Sequence, residues 1–209
     1  MVRERFRYEA EQASYHRTLW MRPPPHPVPG RNSDDSMFTM TDRDYGAWTD
    51  HAIPEDRSSW QPLVAQCHDY WSSLAPPDRL PARADLWPGD MVAFLPHVWL
   101  LDVVRDPLRF RYRLIGTAEV RVLGADLTGQ WLDEIHSATW DDPAVQDRLR
   151  YIAETGRPTW ARSPVLWGPD RSHQLIENCL LPLAADGRTV DMILACSVLC
   201  KADGTALRL

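Results

Sequence analysis

The chain has 209 residues, 44% of them hydrophobic and 25% charged, with 29 acidic against 23 basic side chains and a formal net charge of −6. That length holds one ordinary domain with extensions and leaves two full domains cramped, and the balance is that of a globular chain. The acidic excess argues against nucleic acid as a direct partner, and no apolar run approaches the roughly 20 residues a membrane helix needs, so no membrane insertion is expected.

The N-terminus, MVRERFRYEAEQ, is polar where a secretory signal would place its apolar region, which points to a cytoplasmic protein. Residues 1–60 contain PPPHPVPGRNSDDS at 23–36 and no periodic apolar face long enough to make a core, so we expect a disordered extension. Met37 and Met40 follow the proline run, which leaves Met1, Met37 and Met40 all open as the true start. Trp20, Trp48 and Trp60 are unusual in such a tail and leave room for short docking contacts.

The folded unit is expected over residues 61–200, with 201–209 as a short tail. Leu63, Cys67, Tyr70, Trp71 and Leu74 recur at helical intervals before Pro76 and Pro77 stop the helix. That stripe must bury on its own sheet or on a second copy, and the second choice makes it the contact of a homodimer. Pro81, Pro88 and Gly89 then punctuate a polar turn that feeds a buried strand.

Strands are expected near 97–104, 108–115, 158–167, 173–183 and 190–200. In the second, Phe110, Tyr112 and Leu114 alternate with Arg109, Arg111 and Arg113, the period of a sheet with one wetter face. Residues 105–107 are short enough to make the first two strands a hairpin. Helical pieces follow near 117–123 and 129–136. Asp142 before Pro143 starts a longer helix, and Gly156 with Pro158 beyond it stops that helix after Thr155. Residues 168–172 read as a turn, and Asp186-Gly187 as a type I′ hairpin between the last two strands.

Several short motifs occur in a fixed order: Arg83-x-Asp85, Asp90-Met91, Leu95-Pro96, Leu100-Leu101-Asp102, Phe110 through Gly116-Thr117, GADLTG at 124–129, and ETGRP at 154–158. With LLPLAADGRTVDMIL at 180–194, this order resembles the PAS-like domain family found in bacteria, over roughly residues 63–198. The resemblance implies an α+β fold, a five-stranded antiparallel sheet in the order 2-1-5-4-3 flanked by helices, with the helix from residue 63 in front.

Arg83, Asp85, Asp90, Pro96, Asp102, Gly116, Thr117, Gly124, Gly129 and Gly156 sit on the family's signature. We read them as structural, with Arg83 paired to an acid, Asp85 and Asp90 capping turns, and Asp102 held by Arg111 or Arg113 across the hairpin. A docking patch is the other reading. Trp99, Tyr112, Trp131 and His136 are the candidates to line a ligand cavity between sheet and helices. No cofactor is expected. Some PAS domains bind haem through one histidine, and haem or another small ligand would look first to His136 and then to His97. The cysteine motif of flavin-binding photosensors, GxNCRFLQ, is absent, so flavin photochemistry is not expected.

No metal site is expected, because His68, His97, His136 and His173 do not converge with one another or with cysteines. Cys67, Cys179, Cys196 and Cys200 lack CxxC spacing and read as buried thiols. With no GxSxG elbow and no phosphate-binding glycine loop, no catalytic residue is assigned. The expectation is a sensory or protein-interaction module in bacterial signalling, not an enzyme, working as a homodimer or on a signalling protein. A small-molecule-binding enzyme on the same scaffold and a ligand-free dimerisation domain are the alternatives.

Overall fold

The computed structural model describes residues 53–54, 56–76, 78–135, 142–165 and 174–207. Residues 1–52 and 55 of the expected extension over 1–60, the turn at 168–172 and the haem candidate His136 fall outside the described residues.

Helix α1, Pro62–Leu74, opens with proline at its first position and is followed by three 3-10 turns, Arg83–Asp85, Pro88–Met91 and Leu95–His97. Strands β1 (Val98–Val104) and β2 (Arg109–Ile115) form a hairpin. Helices α2 (Thr117–Leu123), α3 (Leu132–Ile135) and α4 (Pro143–Thr155) come next. Strands β3 (Thr159–Pro164), β4 (Leu175–Leu183) and β5 (Met192–Cys200) close the sheet. All neighbours are antiparallel, in the order β2-β1-β5-β4-β3.

The sheet is covered on both faces, and the alternation along β5 shows how. Ile193 and Ala195 enter a core with Leu149, Tyr151 and Ile152 of α4 and Leu132 of α3, while Leu194, Cys196, Val198 and Cys200 enter a second core with Val64, Cys67 and Trp71 of α1. A strand buried on both sides reads as a near-continuous apolar run, and MILACSVLC is one but for Ser197. Burial of each large side chain there stabilises the fold by about 1.5–3 kcal/mol.

Helix α1 therefore spends its apolar stripe on its own sheet. Cys67 and Trp71 are buried against β4 and β5, the Trp71 indole Nε1 donates to the Pro182 carbonyl at 2.9 Å, and Leu63, Tyr70 and Leu74 flank the same core. Of the expected dimer stripe Leu63, Cys67, Tyr70, Trp71 and Leu74, the chain's own sheet takes Cys67 and Trp71 fully and leaves Leu63, Tyr70 and Leu74 half-buried.

Contacts of the folded unit reach past residues 61 and 200 at both ends. Trp60 is buried, and the fully buried Glu177 carboxylate accepts from the Gln61 N–H at 2.6 Å and from the Trp160 indole at 3.2 Å. Arg162 Nε donates to the same carboxylate at 2.8 Å, so its charge is matched and its lone pairs are used. At the other edge, residues 201–207 fold back on β5, where the Leu207 N–H donates to the Leu199 carbonyl at 2.8 Å. They are not a free tail.

Two local expectations fail for identifiable reasons. Leu114 is 37% exposed although it continues the Phe110, Tyr112 alternation. Leu100 faces Leu114 while Leu101 faces Tyr112, so Arg113 is an extra residue in β2, and this bulge turns Leu114 outward and Ile115 inward. Asp186-Gly187 is not a two-residue type I′ turn. The strands separate beyond the Leu183, Met192 pair, Gly187 donates to the Ala184 carbonyl at 3.0 Å, and the Asp186 carboxylate accepts from the N–H groups of Arg188 and Thr189.

Candidate functional site

One group of polar side chains on the α4 side of the sheet lies at the end where β1, β5, β2 and α2 meet. Alternation puts Trp99 of β1, Tyr112 of β2 and Ser197 of β5 on this side. The Trp99 indole Nε1 donates to Ser197 Oγ at 2.7 Å, and the Trp99 and Tyr112 rings lie 6.0 Å apart at 57°. His97, ending the last 3-10 turn, places Nδ1 3.1 Å from the Ser197 carbonyl oxygen.

Gly116 brings α2 down onto this end. Its N–H donates to the Val98 carbonyl at 2.7 Å, and a Cβ in its place would stand 2.3 Å from the Pro96 carbonyl oxygen and 2.7 Å from that of Val98. Here glycine is required by the approach of two backbones. The seated helix turns Ala118, Glu119 and Val122 inward, and Glu119 is left only 8% exposed. Its Oε1 stands 4.0 Å from His97 Nδ1.

Burial pushes the Glu119 carboxyl up to about 8. Its place in the first turn of α2 works the other way, because the helix dipole favours a carboxylate by about 0.3–1 kcal/mol. Loss of hydration outweighs that: the rise corresponds to on the order of 4–5 kcal/mol. Burial, and then the neighbouring Glu119, hold the Tyr112 phenol well above its ordinary value. A carboxyl kept neutral in this way can donate a hydrogen bond, or hold and release a proton.

The structure unites part of the expected cavity set. Trp99 and Tyr112 touch, whereas Trp131 lies at the outer edge of the sheet, with the guanidinium carbon of Arg109 4.1 Å and that of Arg111 5.6 Å from its ring centre. The chain around it covers β2, since the Tyr112 N–H donates to the Gln130 carbonyl and the Gly129 N–H to the Tyr112 carbonyl.

Most of the signature residues shape the backbone. Asp85 caps its 3-10 turn by accepting from the Ala82 N–H at 2.8 Å, and its nearest cation is Arg79 at 3.9 Å. Arg83 is exposed, with no acid paired to it among the described residues, and Asp90 makes no capping bond among them. Asp102 takes both Nε and Nη2 of Arg111, at 3.2 and 2.8 Å, rather than Arg113. Gly124 and Gly156 end α2 and α4 at φ 77° and 65°, Pro96 and Thr117 are exposed, and Gly129 seals the β2 edge.

Glu119 and Ser197 were not foreseen. The signal for Glu119 was available, since an acid three residues before Val122 and beside Ala118 falls on the apolar side of a short helix. Arg148 was missed in the same way: on the buried side of α4, its Nε donates to Thr159 Oγ1 at 2.8 Å and its Nη1 to Asn178 Oδ1 at 2.6 Å. The four cysteines are buried free thiols on the α1 side, away from Glu119's helix. Burial drives the Cys179 thiol well above its ordinary value, which leaves it a poor nucleophile.

A sequence model of the PAS domain matches residues 61–198, well over half of the chain. The chain belongs to the PAS domain family. PAS domains are sensory and interaction modules, and the sheet order and flanking helices described above are those of this family. A solved structure, that of an RNA-binding light-oxygen-voltage receptor, is similar at 18% identity and a TM-score of 0.38, over 59% of this chain. The match spans 36% of that receptor chain. No curated protein matches the sequence. PAS relatives can bind small ligands or cofactors. Among the described residues of this PAS domain, no three His, Cys, Asp or Glu side chains group to hold a metal, and no helix is long and apolar enough to cross a membrane.

Proposed function

We propose that this PAS domain is a regulatory module of bacterial signalling, without catalytic activity of its own. In this reading it acts in the cytoplasm on a protein partner or as a homodimer, not on nucleic acid. The observation that carries the reading is the cluster of Glu119, His97, Trp99, Tyr112 and Ser197 in the layer between the sheet and its covering helices. A small polar molecule that bonds to Glu119 or Ser197 shifts α2 against β1 and β5. Those strands bear α1 on their other face, where Val98 and Cys196 pair across from each other. A change on the helix-covered side is thus passed to α1 through shared strands, whose close packing transmits displacement.

Native mass spectrometry of the freshly purified full chain, with amide exchange in α1 as the readout, tests this. The expected result is a retained small molecule whose removal changes exchange in α1. An empty protein whose α1 exchange responds to nothing that alters the cluster overturns it.

The approach of Glu119 to His97 at 4.0 Å favours one second reading, an enzyme using the two as acid and base. Conversion of a retained ligand by wild type, lost in Glu119→Gln while the ligand still binds, would establish it.

A further inference from the structure

Glu119 is enclosed by groups that do little to stabilise a negative charge. The 3-10 turn contributes the His97 imidazole, β2 the Tyr112 phenol, and the same face of the sheet carries Ser197 of β5 and the non-titrating Trp99 of β1, while the Cys196 thiol lies on the opposite, α1 face of β5. On its own helix Arg121 is exposed, two residues on and hence on another side. The imidazole is the one neighbour among these able to carry a compensating charge.

The helix itself is short and separately bounded. Seven residues run from the backbone contact at Gly116 to the left-handed Gly124, whose N–H closes on the Val120 carbonyl at 2.8 Å. No linker separates the helix from β2, because Gly116 follows Ile115 directly. A displacement of α2 therefore moves the end of β2 just beyond its bulge.

We propose that the Glu119 carboxyl group is a proton-operated latch between α2 and the sheet, neutral when the helix is seated and displacing the helix once ionised. This deepens the reading of the layer as a sensory site and names the proton as a signal read there. The carboxyl pushed up to about 8 places the change within reach of ordinary cell conditions. An ionised Glu119 regains hydration only by leaving the layer, and α2 must shift to let it out.

The test is a pH titration of the full-length, nitrogen-15-labelled protein by NMR, between about pH 6 and about pH 10. The Trp99 indole N–H and the α2 amides are followed, with Trp99→Phe identifying the indole signal. The expected result is a common midpoint near 8 for these signals. Glu119→Gln should abolish it and hold the signals at their low-pH positions. Constant α2 and indole signals in wild type, or a titration that persists in Glu119→Gln, overturns the latch. A retained ligand without any titration would remove the latch and keep the sensory reading. A titration that leaves α1 exchange unchanged would keep the latch and remove that reading.

Discussion

Trp60 lies flat on Trp160, with ring centroids 5.2 Å apart and planes inclined by 6°. The stack fastens the segment before α1 to the edge strand β3, beside the buried Glu177 carboxylate. Trp60→Ala should cost about 3–5 kcal/mol in a denaturant titration. Trp60 Nε1 is buried with no hydrogen-bond partner among the described residues. Trp60→Phe keeps the stack and discards that orphan donor, so it should cost clearly less than the alanine variant. Equal losses would mean that the stack contributes nothing beyond bulk.

Trp71→Ala should destabilise the domain by about 3–5 kcal/mol and leave its mass in light scattering unchanged. The ring is buried within one chain and its indole is bonded to Pro182, so no interface is lost with it. A folded variant of halved mass and undiminished stability would restore α1 as a dimer contact.

Two glycines should respond differently to the same change. At Gly156, φ 65° disfavours a side chain, and a Cβ meets Leu80 Cδ1 at 3.3 Å. Gly156→Ala should cost about 1 kcal/mol, and Gly156→Val more. At Gly116 the obstacle is backbone at 2.3 Å, which cannot swing aside. Gly116→Ala should cost about 3 kcal/mol or more and expose Glu119, with thermal melts ranking the set. The reverse ranking would mean that α2 is not seated by this contact.

Stability should fall with rising pH on account of Glu119. Its value is raised in the fold to about 8 from an ordinary 4.5, so the folded chain holds a proton that the unfolded chain has released. The contribution is full below about 4.5, shrinks through the interval and is gone above about 8. Asp186 acts in a separate window: N–H donation from Arg188 first, then Thr189, lowers it from 3.8 to about 2, and its contribution disappears as pH falls through that range. Denaturant midpoints for wild type and Glu119→Gln should diverge as pH rises, with the variant flatter. Parallel curves would place the ionisable group elsewhere.

None of the four cysteines should react with a water-soluble disulfide reagent in the native state, and all should react in denaturant. They are buried, and the thiols of Cys67, Cys179, Cys196 and Cys200 are each raised. Rapid labelling of one native cysteine would show that the α1 face opens.

The elements were legible because their signals were local. Proline at the start and glycine at the stop delimit α4 at Pro143–Thr155, and the run of β5, apolar but for Ser197, marks a strand. The sheet order came from resemblance, since no spacing in one sequence states which strands pair. What escaped depended on distant partners. Leu114 follows the alternation perfectly and is undone by one unpaired residue in the ladder. Glu119 looks like a surface acid until Gly116 brings its helix against the Val98 and Pro96 carbonyls. The stripe on α1 was correct as a stripe, but its covering surface lies more than a hundred residues downstream.

That β5 pairs with β1 on one side and β4 on the other has a consequence for synthesis. Until Met192–Cys200 has left the ribosome, the β1–β2 hairpin and the β3–β4 pair each present an open row of amides and carbonyls, and the two cores lack their shared wall. The nascent chain is then most exposed to chaperones, to wrong strand partners and to proteases. A chain halted within the 184–191 loop holds nearly every element of the domain and yet no sheet continuous from β2 to β3. A strand of those nine residues supplied separately is the one piece that would finish it.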